Sequence, residues 1–342
     1  MIVVGLGFGD EGKGLTTSFL CSQVENPLVV RFNGGHQAGH TVVFEGKRHV
    51  FSSFGSGSLQ GVPTYWSAYC TFYPSSFLVE YRLLDKPVIY VNPLCPVTTP
   101  FDVDYNQLTE SAKKHGSVGV GFGATIQRQE QYYKLFVQDL FFEPVLVAKL
   151  KNIAAWYGAV DIDEQINFFL ESVKQVKGII QIADDSILQQ YNPIFEGAQG
   201  ILLDMDFGFF PNVTRSNSTT KNALQMYPAK EVYYVTRSYL TRHGNGFLPN
   251  EKKLELVNNE KETNKTHEYQ GAFRTAELDI SLLNYALGCD HHFSKGLRKN
   301  LVITCMDQYP IDVAALLDNL DTAFDKVYIS NGDSLSNVSL FR

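Results

Sequence analysis

Two glycine-rich segments near the start of the chain hold residues able to move a phosphoryl group. The first, Gly7-Phe8-Gly9-Asp10-Glu11-Gly12-Lys13-Gly14, follows the phosphate-loop spacing G-x-x-x-x-G-K-[ST] up to its last position. Glycines let a backbone curl until its N–H groups face an anion, and Lys13 adds a point charge. Gly14 lacks the hydroxyl that such loops place on Mg²⁺. Asp10 is out of place in a plain phosphate cradle, because a carboxylate repels phosphate. It makes sense as a Mg²⁺ ligand or a proton acceptor. The second segment, Asn33-Gly34-Gly35-His36-Gln37-Ala38-Gly39-His40-Thr41, sets two His residues four apart between glycines. That is not a helical pair, so a zinc-protease reading fails. A His in a glycine-rich loop after a strand is placed to reach a phosphate or to act as a general acid. The bland alternatives are a glycine-rich surface turn and a structural His, and the second loop strengthens the chemical reading of the first.

Both loops need a scaffold. Residues 2–6 read as a short buried strand and 15–24 as a helix, so the first loop joins strand to helix, as in many nucleotide-binding α/β folds. A strand at 28–32 feeds the second loop, and 41–44 with 47–52 reads as a hairpin around Glu45-Gly46. Helices are expected at 74–84, 104–114, 278–287 and 313–324, with a largely helical stretch from 132 to about 183. Further strands are expected at 88–91, 193–195, 231–237, 301–304 and 326–329. Residues 116–123 read as a mobile glycine loop, 243–246 as a turn, and the polar stretch 258–269 as an exposed insertion. The alternation predicts an α/β fold: one catalytic domain over 1–342 with a central, mostly parallel β-sheet flanked by helices, a P-loop-like phosphate loop and a helical subregion near 132–183.

With 342 residues and ordinary globular composition, the chain can bury a sizeable core. Its net charge of −7 argues against non-specific binding to nucleic acid or an anionic membrane. A nucleotide is still allowed, since a phosphate cradle can be built from backbone amides. The five Cys (Cys21, Cys70, Cys95, Cys289 and Cys305) are odd in number and widely spaced. They fit neither a disulfide framework nor a CxxC zinc site, so reduced thiols and a cytoplasmic setting are expected. Met1 leads straight into an apolar strand, and no apolar run reaches about 18 residues, so neither secretion nor membrane spanning is expected.

The two loops together resemble the adenylosuccinate synthetase family, whose N-terminal half carries G-D-E-G-K-G and then G-G-H-N-A-G-H-T. Here residues 9–14 read GDEGKG and 34–41 read GGHQAGHT. The resemblance continues in order. FEGAQGILLD at 195–204 is similar to F-E-G-A-Q-G-x-L-L-D, and FPNVTRSNSTT at 210–220 to Y-P-Y-V-T-S-S-N-T-T. TRHGNGFLPNE at 241–251 is similar to T-R-V-G-A-G-P-F-P-T-E, and Arg274-Thr275 with Leu278-Asp279 to R-T-G-W-L-D.

The resemblance implies a homodimeric carbon–nitrogen ligase that joins L-aspartate to C6 of a purine nucleoside monophosphate, IMP, using GTP and Mg²⁺. The γ-phosphate first goes to O6, and the aspartate amine then displaces it. O6 of a purine lactam is a weak nucleophile until N1–H is removed. By resemblance Asp10 is that base, and it also binds Mg²⁺ together with the carbonyl of Gly39. His40 resembles the general acid that steadies the transferring phosphoryl, whose oxygens Lys13 and the loop amides stabilise. Gly9, Glu11, Gly12, Gly14, Gln37 and Thr41 match nucleotide-binding positions. Gln199 matches an amide that holds the base, and Ser117 and Thr214 match hydroxyls for the 5′-phosphate. Arg274 survives from the aspartate-binding loop, and His243 stands near the ribose. Cys305, Asp307, Ser330 and Gly332 fall in the motifs that read the triphosphate's base.

Several positions depart from the family pattern, and the chain is shorter than usual bacterial members. The family's T-T-G-R-R-R-R-T loop appears as residues 268–275 with a single Arg, so Arg215, Arg242 or Arg298 must supply the missing charge, or the substrate differs. T-K-L-D appears as Thr304-Cys305-Met306-Asp307, without the stacking Lys, which leaves GTP and ATP both open. S-T-G-P appears as Ser330-Asn331-Gly332-Asp333, and G-T-T-G-R-G-I-G as GSVGVGFG at 116–123, with Val120 for Arg. Arg128 is the candidate for the arginine that family members supply in trans. His243 replaces Val. Two alternatives follow: a phage-type relative that makes 2-amino-2′-deoxyadenylosuccinate from dGMP, aspartate and ATP, and a non-catalytic purine-nucleotide-binding relative.

Overall fold

The apolar runs of the sequence stack side by side into one sheet. The computed structural model describes residues 1–113, 116–257 and 271–342, so the polar stretch expected at 258–269 lies outside the described residues. The strands are β1 (Ile2–Gly5), β2 (Pro27–Arg31), β3 (His40–Phe44), β4 (Lys47–Phe51), β5 (Thr64–Trp66), β6 (Ile89–Val91) and β7 (Gln181–Ile182). They continue with β8 (Asn192–Gly200), β9 (Glu231–Arg237), β10 (Tyr239–His243), β11 (Phe273–Glu277), β12 (Arg298–Thr304), β13 (Lys326–Ser330) and β14 (Val338–Leu340). Ten of them form a sheet in the order β14-β13-β12-β9-β1-β8-β2-β5-β6-β7. Every neighbouring pair is parallel except β13–β14. The central strands are buried along almost their whole length, which is why they read as unbroken Val, Ile, Leu and Tyr rather than alternating.

Helices α1 (Lys13–Cys21), α2 (Pro74–Tyr81), α3 (Pro100–Lys113), α4 (Phe122–Glu130), α5 (Glu143–Tyr157), α6 (Asp163–Val176), α7 (Lys221–Met226), α8 (Ile280–His291) and α9 (Val313–Asp318) complete the fold. The helical subregion has a core of its own. Phe77 of α2, Leu150 of α5 and Phe169 of α6 bury against Trp66 and Val91 at one side of the sheet. Among the described residues no helix is long and apolar enough to cross a membrane.

The differences from the expected elements are local and physical. Helix α3 starts four residues early, because Pro100 suits a first helical turn and the Asp102 carboxylate accepts the Thr99 amide at 2.7 Å. Helix α9 stops at Asp318, six residues short, and starts where Asp312 caps the Ala315 amide. Strand β8 runs on to Gly200, five residues beyond the strand end expected at 195. Gly197 is required there, since a Cβ would stand 2.9 Å from the Val3 carbonyl of β1. Helix α4 begins inside the glycine stretch expected to be only a loop.

Parallel strands put all their carboxyl ends on one side. The loops after β1, β2, β8 and β9 open there, the crevice where open α/β sheets take ligands.

Candidate active site

The chain leaves β1, turns through the first glycine loop and enters α1 at Lys13. Glu11 is folded back into that turn. Its Oε1 accepts the amides of Gly7 at 3.0 Å and Gly9 at 2.8 Å, and its Oε2 pairs with Lys13 Nζ. Glu11 therefore shapes the loop and holds its lysine. Thr304 Oγ1 ties the loop to the end of β12 through the Glu11 carbonyl at 2.6 Å. Gly12 sits at φ 97°, and a Cβ on it would stand 2.8 Å from Thr304 Cγ2. Gly12→Ala is expected to cost about 1–2 kcal/mol in backbone strain and, by pushing the loop off β12, to weaken triphosphate binding about tenfold or more. Titration with a fluorescent triphosphate checks this, and unchanged affinity contradicts the loop's role.

Asp10, at φ 63°, is only partly buried. Its Oδ2 lies 3.2 Å from His243 Nε2, and Arg237 Nε donates to its carbonyl. Burial pushes the Asp10 carboxyl up. The hydrogen bond from His243 and the charges of Arg237, His243 and Lys13 outweigh it and hold the group below the usual carboxylate range. Asp10 is thus ionised at neutral pH.

His40 opens β3, with its Nδ1 2.9 Å from Oε1 of Glu196 in the middle of β8. Glu196 also accepts the Ser56 amide at 3.2 Å and lies 3.9 Å from Arg31 Nη1, and all of these side chains are buried. Burial drives the His40 imidazole below its ordinary value, and Glu196 opposes the shift without overcoming it. Burial pushes Glu196 up, but His40, Arg31 and Ser56 bring it below the usual range. The carboxylate 2.9 Å from Nδ1 anchors that side of the ring electrostatically, and His40 lines the cleft. Glu196 was not singled out from the sequence. The available signal was a charged residue inside an apolar strand, which is rare unless the charge is paired.

Asp10 and His40 face one cleft of about 790 Å³. Gly9, Glu11, Gly12, Lys13 and Gly14 form one wall of it and Gln37, Gly39 and Thr41 the next, while Ser117, Gln199, Thr214 and His243 also line it. Both amide atoms of Gln37 and Oε1 of Gln199 are buried without a hydrogen-bond partner among the described residues. Such atoms are costly unless a ligand satisfies them, so they are the groups ready for a base. Ser117 Oγ accepts from Asn106 Nδ2 at 3.0 Å and from the Gly119 amide at 3.2 Å. With both lone pairs used, its O–H is left to donate, as a phosphate oxygen requires.

Other expected site residues lie elsewhere. Arg274 does not line the cleft. It pairs with Glu251 and donates to the carbonyls of Gly244 at 2.8 Å and Gly246 at 2.9 Å, bracing the turn that carries His243. Cys305, Asp307, Ser330 and Gly332 gather at the ends of β12 and β13, beyond Thr304 and outside the cleft. There Ser330 Oγ donates to the Gly332 carbonyl at 2.7 Å and Gln308 to Asp307 at 2.9 Å. Arg128 cannot reach a partner subunit, because it is wholly buried between Asp102 at 2.8 Å and the Val97 carbonyl at 2.7 Å. Arg298 starts β12, about 20 Å from its carboxyl end, and faces Glu231 instead. Arg242 lines the cleft 4.3 Å over the Phe8 ring, donating to the carbonyls of Asn212, Asn245 and Phe247.

Among the described residues no three His, Cys, Asp or Glu side chains gather as a metal cage. The Asp10 carboxylate and the backbone carbonyl of Gly39, which line the same cleft, are a hard-oxygen set. It fits Mg²⁺, which takes one or two carboxylates and fills its other positions with water and substrate phosphates.

Comparison with known proteins agrees with this geometry. The family described as adenylosuccinate synthetase matches residues 2–322. The adenylosuccinate synthetase of Picrophilus torridus is 29% identical, over 94% of this chain and 81% of its own length. That of Teredinibacter turnerae is 32% identical, over 75% of this chain and 66% of its own length, so the match spans about two thirds of that relative. The fully ligated adenylosuccinate synthetase of Plasmodium falciparum superposes with a TM-score of 0.85 at 18% identity, over 100% of this chain and 99% of that one. The cyanophage S-2L succinoaminodeoxyadenylate synthetase, bound to dGMP and dATP, gives 0.70 at 18% identity, over 99% and 94%. The two structures share the fold, and the family match runs through every strand that carries the cleft. The chain belongs to the adenylosuccinate synthetase family of carbon–nitrogen ligases.

Proposed function

We propose that the protein is a cytoplasmic, homodimeric ligase that joins L-aspartate to C6 of IMP at the expense of GTP, through a 6-phosphoryl intermediate. The observation that carries this reading is Asp10 paired with His243 and His40 set against Glu196 on one cleft beside the phosphate loop. Asp10 takes the N1 proton, which makes O6 nucleophilic. O6 forms a bond to the γ-phosphorus as GDP leaves. Negative charge on the bound triphosphate protonates His40, and the imidazolium, facing Glu196 through Nδ1, donates from Nε2 to the charge that develops on the phosphoryl, which the loop amides and Lys13 share. The aspartate amine then attacks C6, the C6–O6 bond breaks, and phosphate departs with O6. Mg²⁺, held by Asp10 and the Gly39 carbonyl, would neutralise charge on the triphosphate. Gln37 and Gln199 satisfy their buried amides on the purine, and Ser117 and Thr214 donate to the 5′-phosphate. The triphosphate's base lies beyond Gly12, toward Asp307 and Ser330.

A second reading, dGMP with ATP, is favoured by His243, which replaces Val and meets Asp10, and by Cys305 in place of the stacking Lys. Phosphate release should be measured with aspartate, Mg²⁺ and each of IMP, dIMP, GMP and dGMP, with GTP or ATP. The proposal expects IMP with GTP to dominate. Release with dGMP alone establishes the second reading, and release with none leaves a nucleotide binder.

A further inference from the structure

We infer that Arg215 supplies the cation for the 5′-phosphate of the bound nucleotide from within the same chain. This rests on reading the cleft as a nucleoside-monophosphate site. A phosphate monoester carries nearly two negative charges at neutral pH. Among the described residues, the donors assigned to it are neutral: the hydroxyls of Ser117 and Thr214, which line the cleft, and the backbone around them.

Among the described residues, the cations lining the cleft are Lys13, Arg215, Arg237 and Arg242. Three of them are committed elsewhere. Lys13 is held by Glu11. Arg237 braces the Asp10 carbonyl and donates to the Tyr239 hydroxyl at 2.8 Å. Arg242, over the Phe8 ring, serves three carbonyls.

Arg215 differs in place and in partner. It directly follows Thr214, and its Cδ would lie 3.8 Å from a Cβ on Gly123, so its stem runs over the first turn of α4. That turn lines the cleft just after the loop that carries Ser117. The guanidinium meets Glu130 at 3.1 Å, with Arg215 47% and Glu130 50% exposed. An exposed pair of this kind contributes little to stability. Trading it for a two-pronged contact with a dianion is favourable. The sequence moves in the same direction: where the family segments have Ser and Arg, this chain has Arg215 and Val120.

The test is equilibrium binding by calorimetry, which does not need turnover. Wild type, Arg215→Ala, Arg215→Lys and Glu130→Gln are each titrated with IMP, dGMP and the matching nucleosides. Arg215→Ala is expected to weaken monophosphate binding about ten- to hundredfold and to leave nucleoside binding unchanged. Arg215→Lys should recover part of the loss, and Glu130→Gln, which frees the guanidinium, should tighten monophosphate binding. In steady state, Arg215→Ala should raise KM for the monophosphate but not for aspartate. A rise confined to aspartate overturns the inference and makes Arg215 an amino-acid clamp. Equal losses for nucleotide and nucleoside, or no loss, also overturn it. If wild type binds neither monophosphate, the reading of the cleft fails and the inference fails with it.

Discussion

Asp10→Asn is expected to keep the fold and nucleotide binding and to lower phosphate release by about 10³-fold. The substitution is conformationally mild. Asp10 sits in the left-handed region at φ 63°, which Asn tolerates better than most residues. An amide oxygen can still accept from His243 Nε2, so the cleft wall keeps its shape. The loss is a base able to take the N1 proton, without which O6 stays a poor nucleophile. Asp10 is also assigned to Mg²⁺, so the assay should be run across a range of Mg²⁺ concentrations. A deficit that persists at saturating metal belongs to proton removal. Full recovery at high Mg²⁺ would leave Asp10 only a ligand, and undiminished release would remove it from the mechanism.

The second large effect is expected at Glu196, the residue the motifs did not flag. Glu196→Ala leaves Arg31 buried without the one carboxylate that lies within 4 Å of it among the described residues. Among the described residues Arg31 Nε and Nη2 have no hydrogen-bond partner, and its Nη1 reaches the Ser52 and Phe54 carbonyls only at 3.5 and 3.4 Å. Stranding a buried charge in this way costs about 3–5 kcal/mol. Glu196→Gln keeps the volume and costs less. It still removes the charge that fixes His40, so kcat should fall by about 10²-fold while KM for either nucleotide barely moves. The pH dependence has a definite sign. The Glu196 carboxyl lies below its usual range in the folded protein, so its contribution is complete above the ordinary Glu pKa of 4.5 and is lost as pH falls through the folded value. Urea unfolding at neutral and acid pH should therefore show a smaller acid loss for Glu196→Gln than for wild type. Equal losses, or an unchanged kcat, would mean that Glu196 neither titrates with folding nor steadies His40.

What the sequence made legible is what local rules control. Strand, glycine loop and helix at the start follow from apolar runs broken by glycines, and the Glu45-Gly46 hairpin forms because both residues adopt positive φ. The central strands were recognisable because burial on both faces leaves mostly apolar runs, broken by paired charges such as Arg31 and Glu196. Strand β5, three residues long, gave no such run, and β8 hid its second half behind glycines that close packing against β1 demands. At the site, both loops fell where expected, and Asp10, His40, Gln37 and Gln199 meet in one cleft. Motif letters carry no side-chain direction. They could not show that Glu11 turns inward, that Arg274 braces a turn, or that Arg128 is a buried strut. Nor could they pair Asp10 with His243 or His40 with Glu196, because those partners are far apart in sequence and meet only where the β3–β4 and β10–β11 pairs close over the main sheet's loops.

The oxygen at C6 is the atom to follow. The protein should be given whichever purine monophosphate supports turnover, labelled with ¹⁸O at that position, and the released inorganic phosphate analysed by mass. Transfer of the γ-phosphoryl to O6, followed by displacement by the amine, predicts one ¹⁸O in each phosphate released. Unlabelled phosphate would mean that the triphosphate is hydrolysed by water, and the ligase mechanism assigned to Asp10 and His40 would be wrong.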